Sequence, residues 1–301
     1  MNRQYSAIVM NEKAFKKLKL PADIGDESAL LRWVRRVHHA DFLTFFDGRH
    51  EQSHIWLART QAGTEAVLKI HKTHGSARRE VDAYRVIERN QLCGIPRLLA
   101  QCAADSRVLL LSFELGTHAE LNVDTALRAG QFLQMFHRMP YTDTDAISLT
   151  DAFQLRVDAL RARTIDPSHL RFLDHCKGQI AASSLGPRVL CHRDFRPGNW
   201  LSQSMEAPLT VLDFGHCRPG FWLTDLVHIR AMTVARPHVW MAFLSGYERI
   251  LNENEDNLLW ALIGLYGVAT CLRTDQGSGV IQSRAQNYVD LARQMLSSLA
   301  R

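Results

Sequence analysis

The chain has 301 residues, of which 46% are hydrophobic and 22% charged. That suffices for a sizeable core and fits one large domain or two modest ones. No run of some eighteen apolar residues occurs, so no membrane span is expected. The net charge of +5 permits an anionic ligand, but the basic residues are spread out, apart from FKKLK and RWVRR. They form no stripe interleaved with aromatics, and nucleic-acid binding is not expected.

The N-terminal MNRQYSAIVMNEKAFKKLKL lacks a long apolar core before a small-residue cleavage site, so no secretory signal is read. The six cysteines are scattered and none forms a C-x-x-C pair. Reduced thiols in a cytoplasmic protein are the simplest reading. The sequence is silent on oligomeric state.

In chain order, SHIWLART and TEAVLKIH are rich in β-branched, aromatic and aliphatic residues. The intervening QAG supplies Gly63 as a turn residue, and the pair reads as a β-hairpin. SARREVDAYRVIER follows as a helix with Ser76 as N-cap; Ala77, Glu80, Val81, Tyr84 and Ile87 share one face. CGIPRLLAQC leads from a loop into a strand, and RVLLLSFE is a strand whose unbroken apolar run implies burial on both faces. After LGTH the character changes. LNVDTALRAGQFLQMFHRM, DAFQLRVDALRAR and SHLRFLDHCKGQIAASS have helical spacing. From residue 222 onward the pattern is almost wholly helical, with breaks near Pro237, at NENEDN and at GSG. The expectation is an α+β chain: a small β-rich N-terminal lobe over 1–114 and a larger helical C-terminal lobe over 115–301.

VLCHRDFRPGNWL, residues 189–201, interrupts the helices. Its Asp194 and Asn199 stand five residues apart on a loop stiffened by Pro197 and opened by Gly198. Fourteen residues after Asn199, Asp213 ends the strand-like LTVLDFG and offers a hard oxygen ligand for Mg²⁺. Phosphoryl transfer needs such a set: one carboxylate at the attacking hydroxyl, and an amide with a second carboxylate holding metal on the phosphates. Upstream, Lys69 lies within the apolar AVLKI, where its charge is costly unless partnered. Glu80, eleven residues on, faces the apolar side of its helix and needs a partner too.

HRDFRPGN together with DFG resembles the catalytic and metal motifs of the protein-kinase-like superfamily. The short N-lobe and long helical C-terminus are most similar to the aminoglycoside phosphotransferase and choline kinase branch, over roughly residues 40 to 300. The resemblance implies a two-lobed protein-kinase-like fold. It makes Asp194 the catalytic base, Asn199 and Asp213 the metal ligands, Lys69 the phosphate-contacting lysine and Glu80 the glutamate that holds it. Ser53 becomes the best match to the phosphate loop, since FFDGRHEQSHIWLA has only Gly48 where protein kinases are glycine-rich. Adenine is expected on backbone from Phe113 to Leu115. The implied activity is transfer of the γ-phosphate from ATP, or GTP in its place, with Mg²⁺, to a hydroxyl of an antibiotic, a sugar or an amino alcohol. A protein or peptide kinase and a catalytically silent nucleotide-binding regulator are the alternatives. The ending MLSSLAR and HRD in place of HGD depart from aminoglycoside 3′-phosphotransferases.

Other residues read as structural. His192 braces the loop, and Asp225 resembles an aspartate that caps it. The histidines and cysteines lack structural-zinc spacing. The six tryptophans read as core or groove residues. NENEDN, Asp143, Asp145 and Asp151 could serve a cationic acceptor, but solvated loops are the favoured reading.

Overall fold

The computed structural model describes residues 27–39, 42–45, 53–60, 63–141, 147–183, 185–273 and 279–299. The stretches holding Gly48, Asp143 and Asp145, and most of GSG, lie outside the described residues. The chain divides into two units: Met1–Tyr84 with Pro96–Leu115, and Arg85–Ile95 with Gly116–Arg301.

The first unit is built on a five-stranded antiparallel sheet of β1 (Phe42–Phe45), β2 (Ser53–Arg59), β3 (Glu65–His71), β4 (Leu98–Gln101) and β5 (Val108–Ser112), in the order β1-β2-β3-β5-β4. The β2–β3 hairpin pairs Arg59 with Glu65, and its turn places Gly63 at φ +84°, where a side chain would be strained. Alternation along β3 sends Ala66, Leu68 and Ile70 to one face, where they pack with Val108, Leu110, Trp56 and Val34 of helix α1 (Glu27–His38). Lys69 and His71 are therefore presented to the opposite face. Val108 to Leu111 are all buried, as the unbroken apolar run implies.

Helix α2 (His74–Arg89) follows. Its expected face of Ala77, Glu80, Val81, Tyr84 and Ile87 is buried throughout. The helix starts earlier than expected: Thr73, not Ser76, occupies the capping place, its Oγ1 accepting from the Ser76 N–H at 3.2 Å. The Ser76 hydroxyl instead donates back to the Thr73 carbonyl.

The second unit is mostly helical. Helices α3 (Val123–Arg138), α4 (Leu149–Arg161) and α5 (Pro167–Ala182) are capped by Asn122, Ser148 and Asp166. After residues 189–225 come α6 (Val227–Met232), α7 (Pro237–Tyr247), α8 (Glu253–Cys271) and α9 (Gly279–Leu299). Pro237 starts α7 rather than only ending what precedes it, because the first helical position needs no N–H. NENEDN likewise is a helix start, Asn252 forming a capping box with Glu255. Helix α8 is buried on nearly all sides, and α3 and α7 approach so closely that a Cβ on Gly246 would stand 2.0 Å from the Leu127 carbonyl oxygen. Among the described residues no helix is long and apolar enough to cross a membrane.

Short strands hold the loops of this unit in place. β7 (Val189–Cys191) pairs with β10 (Arg218–Gly220). β6 (Thr117–His118), β8 (Trp200–Ser202) and β9 (Thr210–Val211) form a three-stranded sheet. Five of the six tryptophans, Trp56, Trp200, Trp222, Trp240 and Trp260, are buried. The guanidinium of Arg230 lies over the rings of both Trp240 and Trp260.

Candidate active site

The loop between β7 and β8 is fixed from below. Asp225, at the end of a 3₁₀ turn (Trp222–Asp225), is fully buried and accepts the main-chain N–H groups of His192 and Arg193 at 2.7 and 2.5 Å. His137 of α3 adds a third contact, Nε2 to Asp225 Oδ2 at 2.9 Å, while its Nδ1 meets the Tyr247 hydroxyl at 2.7 Å. Burial alone would raise the pKa of Asp225, but the His137 contacts and the Arg193 N–H outweigh it and hold the carboxyl below its usual range. Arg193 adopts φ +67°, a left-handed conformation costly for a non-glycine residue, and the Asp225 clamp offsets that cost.

His192 joins the loop to the strand that carries Asp213. Its Nδ1 accepts from the Asp194 N–H at 3.3 Å, so Nε2 bears the proton and donates to the Leu212 carbonyl at 2.9 Å. The Leu212 N–H in turn donates to the Asn199 carbonyl at 2.8 Å, and Trp200 pairs with Val211. The main chain of Asn199 is thus held against Leu212, the residue before Asp213. The buried rings of Phe195, Phe214, Phe132 and Phe136 form the floor, with Phe214 centred 4.8 Å from His192.

Arg196 is extended, as the residue before a proline must be, and Pro197–Asn199 forms one 3₁₀ turn. That turn swings Asn199 back onto Asp194: its Nδ2 donates to Asp194 Oδ2 at 2.9 Å and to the Asp194 carbonyl at 2.8 Å. A group that meets two acceptors must be the amide nitrogen, so Asn199 Oδ1 is the atom left for a cation. Asp213 sits at φ +64°, a second left-handed non-glycine residue in the site. An amide oxygen beside a carboxylate is a hard-oxygen donor set and fits Mg²⁺.

Among the described residues, three side chains lie close to the Asp194 carboxylate oxygens. Arg196 Nε donates to Oδ1 at 2.9 Å, Asn199 holds Oδ2, and His228 Nε2 lies 3.5 Å from Oδ1. Burial works against the charge of Arg196, yet Asp194 and then Asp213 hold its pKa above the ordinary value. His228 is the reverse case. Burial dominates over the Asp194 charge, and its pKa is pushed down to about 4, so the ring is neutral beside the carboxylate. Its Nδ1 meets the Tyr288 hydroxyl at 3.2 Å, and Tyr266 packs edge-on at 4.7 Å.

Within the first unit, Lys69 and Glu80 meet. Nζ is 2.7 Å from one carboxylate oxygen and 3.0 Å from the other, with both residues buried. His71 Nε2 lies 2.6 Å from the same carboxylate, and the Tyr84 hydroxyl donates to it at 3.3 Å. Ser53 is buried at the start of β2, opposite His71. Phe113 is half-buried and Leu115 exposed, just past the end of β5.

Sequence reasoning missed four groups: His71, His137, His228 and Tyr266. His71 had a signal, since period-two alternation places it on the same face as Lys69. The other three reach the site from distant helices and leave no local trace. His137, Cys191 and Asp225 have ligand atoms within 4.8 Å of one another. Both nitrogens of His137 are engaged, and burial, then the Asp225 charge, drives the Cys191 thiol well above its ordinary pKa. The trio works as a buried hydrogen-bonded support.

Three described acids of the segments NENEDN and 149–161 have side-chain partners. Asp151 accepts from Ser148, Glu255 pairs with Arg249, and Asp256 accepts from Trp260.

Residues 43–259 match the model of the phosphotransferase enzyme family. No curated protein matches the chain. Among solved structures, one similar chain is the streptomycin–ATP complex of APH(2")-IIa, at 15% identity, covering 90% of this chain and 97% of that one with a TM-score of 0.66. A macrolide 2'-phosphotransferase, MphH from Brachybacterium faecium, aligns at 16% identity, 87% and 97% coverage and a TM-score of 0.60. A Plasmodium vivax ethanolamine kinase aligns at 12% identity, 93% and 92% coverage and a TM-score of 0.63. At these identities the likeness establishes the fold, a small antiparallel sheet unit and a larger helical one in the protein-kinase-like class.

Proposed function

The chain belongs to the phosphotransferase enzyme family, and from that premise we propose that it moves the γ-phosphoryl group of ATP to a hydroxyl of a small molecule. The observation that supports the reading is that Asn199 hydrogen-bonds Asp194 and, through its carbonyl, receives the N–H of Leu212, the residue before Asp213.

Asp194 is the base. Its carboxylate takes the proton as the O–H bond of the acceptor breaks, a new O–P bond forms to the γ-phosphorus, and the bond to the β-phosphate oxygen breaks to release ADP. Arg196 and Asn199 hold that carboxylate in place, one on each oxygen. The neutral His228 beside it adds no competing charge. Asn199 Oδ1 and Asp213 would hold Mg²⁺, which when bound neutralises phosphate charge and fixes the phosphate geometry. Lys69, oriented by Glu80, contacts the phosphates. Ser53 adds a phosphate contact from the start of β2, and the main chain of Phe113 to Leu115 receives the adenine. Most of the rate gain comes from positioning and charge neutralisation.

The donor is ATP or GTP, and the solved relatives support nucleotide use, APH(2")-IIa carrying ATP. A small acceptor is supported by the segment after Asp213. Phe214–His216, Arg218–Gly220 and Trp222–Asp225 are consecutive short elements with no extended activation segment between them. The scattered free cysteines support the reading of a cytoplasmic enzyme.

The test is nucleotide affinity with and without Mg²⁺ in wild type and Asp213→Ala. Mg²⁺ should strengthen ATP binding in wild type and lose about tenfold or more of that effect in the variant. An unchanged Mg²⁺ dependence, with wild-type turnover, would remove Asp213 from the metal site.

A further inference from the structure

His71 ends β3, two residues after Lys69, and so shares its face of the sheet. Its main-chain N–H donates to the Arg107 carbonyl at 3.0 Å, and across the ladder it pairs with Ser53, the first residue of β2. His71 is 2% exposed, Lys69 4% and Glu80 0%, so water cannot stand in for a missing partner at any of them. A buried imidazole loses hydration that a leucine would never have had, and a polar contact must offset the loss. Nδ1 has no hydrogen-bond partner among the described residues. Nε2 is the engaged atom: it lies 2.6 Å from Glu80 Oε2, close but not aligned as a hydrogen bond. Two lone pairs would repel at that distance, so Nε2 carries the proton.

The Glu80 carboxylate is held at both oxygens, from two different elements. His71, on the strand, meets Oε2, and the Tyr84 hydroxyl, on helix α2, donates to Oε1 at 3.3 Å. Lys69 spans the same edge, its Nζ 2.7 Å from Oε2 and 3.0 Å from Oε1. A lysine is a point charge on a flexible stem, so its direction is set by what it leans on. A carboxylate free to turn about its last bonds would not fix that direction. One held at both oxygens does, and a fixed direction is what favours binding of a phosphate group.

We propose that His71 is a positioning residue of the nucleotide site: by holding Glu80 Oε2 it fixes the carboxylate that aims Lys69, and it thereby sets the affinity for the nucleotide phosphates. The inference rests on Lys69 being the phosphate-contacting residue. It concerns the phosphates and leaves adenosine recognition untouched.

The experiment measures binding of Mg-ATP and of adenosine to the full chain by calorimetry. The proteins are wild type, His71→Leu, His71→Gln, Lys69→Met and the double variant Lys69→Met with His71→Leu. His71→Leu should weaken ATP binding about tenfold and leave adenosine binding unchanged. His71→Gln keeps an N–H donor for Oε2 and should retain most of the ATP affinity. In the Lys69→Met background, His71→Leu should change ATP affinity by less than about twofold, since the group it acts through is gone. Where His71→Leu fails to fold, His71→Asn, polar but too short to reach Oε2, should show the same loss. ATP affinity unchanged in His71→Leu while Lys69→Met weakens it would overturn the proposal and keep Lys69 at the phosphates. Equal losses for ATP and adenosine would show a purely structural role and overturn it as well. A tenfold loss persisting in the Lys69→Met background would show that His71 does not act through Lys69. ATP affinity unchanged in Lys69→Met would remove Lys69 from the phosphates, and the inference with it.

Discussion

At the scale of single residues, the protein places charges in its interior and gives several of them close partners. Glu80 is the clearest case: fully buried, it meets Lys69, His71 and Tyr84. Removing one member of a buried pair strands the other, so Glu80→Ala should cost about 3–5 kcal/mol in denaturant unfolding. Lys69→Met should cost less, because Glu80 keeps His71 and Tyr84 among its partners. Equal losses for both would show that His71 and Tyr84 contribute nothing. His228 makes a pH prediction. Its folded pKa of about 4 lies below the ordinary 6.5. Above about pH 6.5 the ring is neutral in both states, and its contribution is fully present. Between 6.5 and 4 the unfolded chain takes up a proton that the folded one refuses, so stability falls by about 1.4 kcal/mol per pH unit. The wild-type curve of unfolding free energy should carry this slope, and His228→Gln should lose it. Asp225 acts lower on the scale. With its folded pKa depressed, its contribution is present above the ordinary carboxylate value and is lost as pH falls through the folded one. Asp225→Asn exchanges an acceptor for a donor facing main-chain N–H groups, and should cost about 2–3 kcal/mol together with most of the turnover.

At the scale of elements, precision comes from close backbone approach. A Cβ on Gly130 of α3 would stand 2.2 Å from the Phe243 carbonyl oxygen of α7, and one on Gly246 would meet Leu127 as closely. No side chain can yield there, because the obstacles are backbone. Gly246→Ala should therefore destabilise by about 2–3 kcal/mol and perturb His137, which α3 carries toward Asp225. Gly178→Ala is the control, since a Cβ there meets nothing within 4 Å. A thermal midpoint unchanged by Gly246→Ala would contradict the packing described. The same contrast explains what the sequence could reveal. The hairpin, the buried β5 run and the apolar face of α2 were legible because each is written in consecutive residues. Pro237 and NENEDN were read as interruptions although they begin helices, since a cap and a break use the same residues. The two- and three-residue strands β6, β9 and β10 have no periodicity to read; pairing across the fold defines them.

At the scale of the molecule, the functional groups divide by how they are encoded. Asp194, Asn199 and Asp213 were legible because they sit in two short motifs with fixed spacing. Lys69 and Glu80 were legible because a buried charge needs a partner, and the structure pairs them. The groups that set the surroundings of Asp194 were not. His228 and Tyr266 come from two different helices, and each alone reads as ordinary composition. The motifs therefore announce phosphoryl transfer, while the surroundings of Asp194 are written in tertiary contacts. The central claim is that Asp194 activates an acceptor hydroxyl, and acceptor-dependent ADP release measures it most directly. Mg-ATP would be supplied to wild type and Asp194→Asn across hydroxy acids, phosphorylated polyols, sugars, amino alcohols and hydroxylated antibiotics. The account predicts release with at least one acceptor in wild type and a fall of about a thousandfold in the variant, with nucleotide affinity and thermal midpoint retained. Release at the wild-type rate from Asp194→Asn would contradict it.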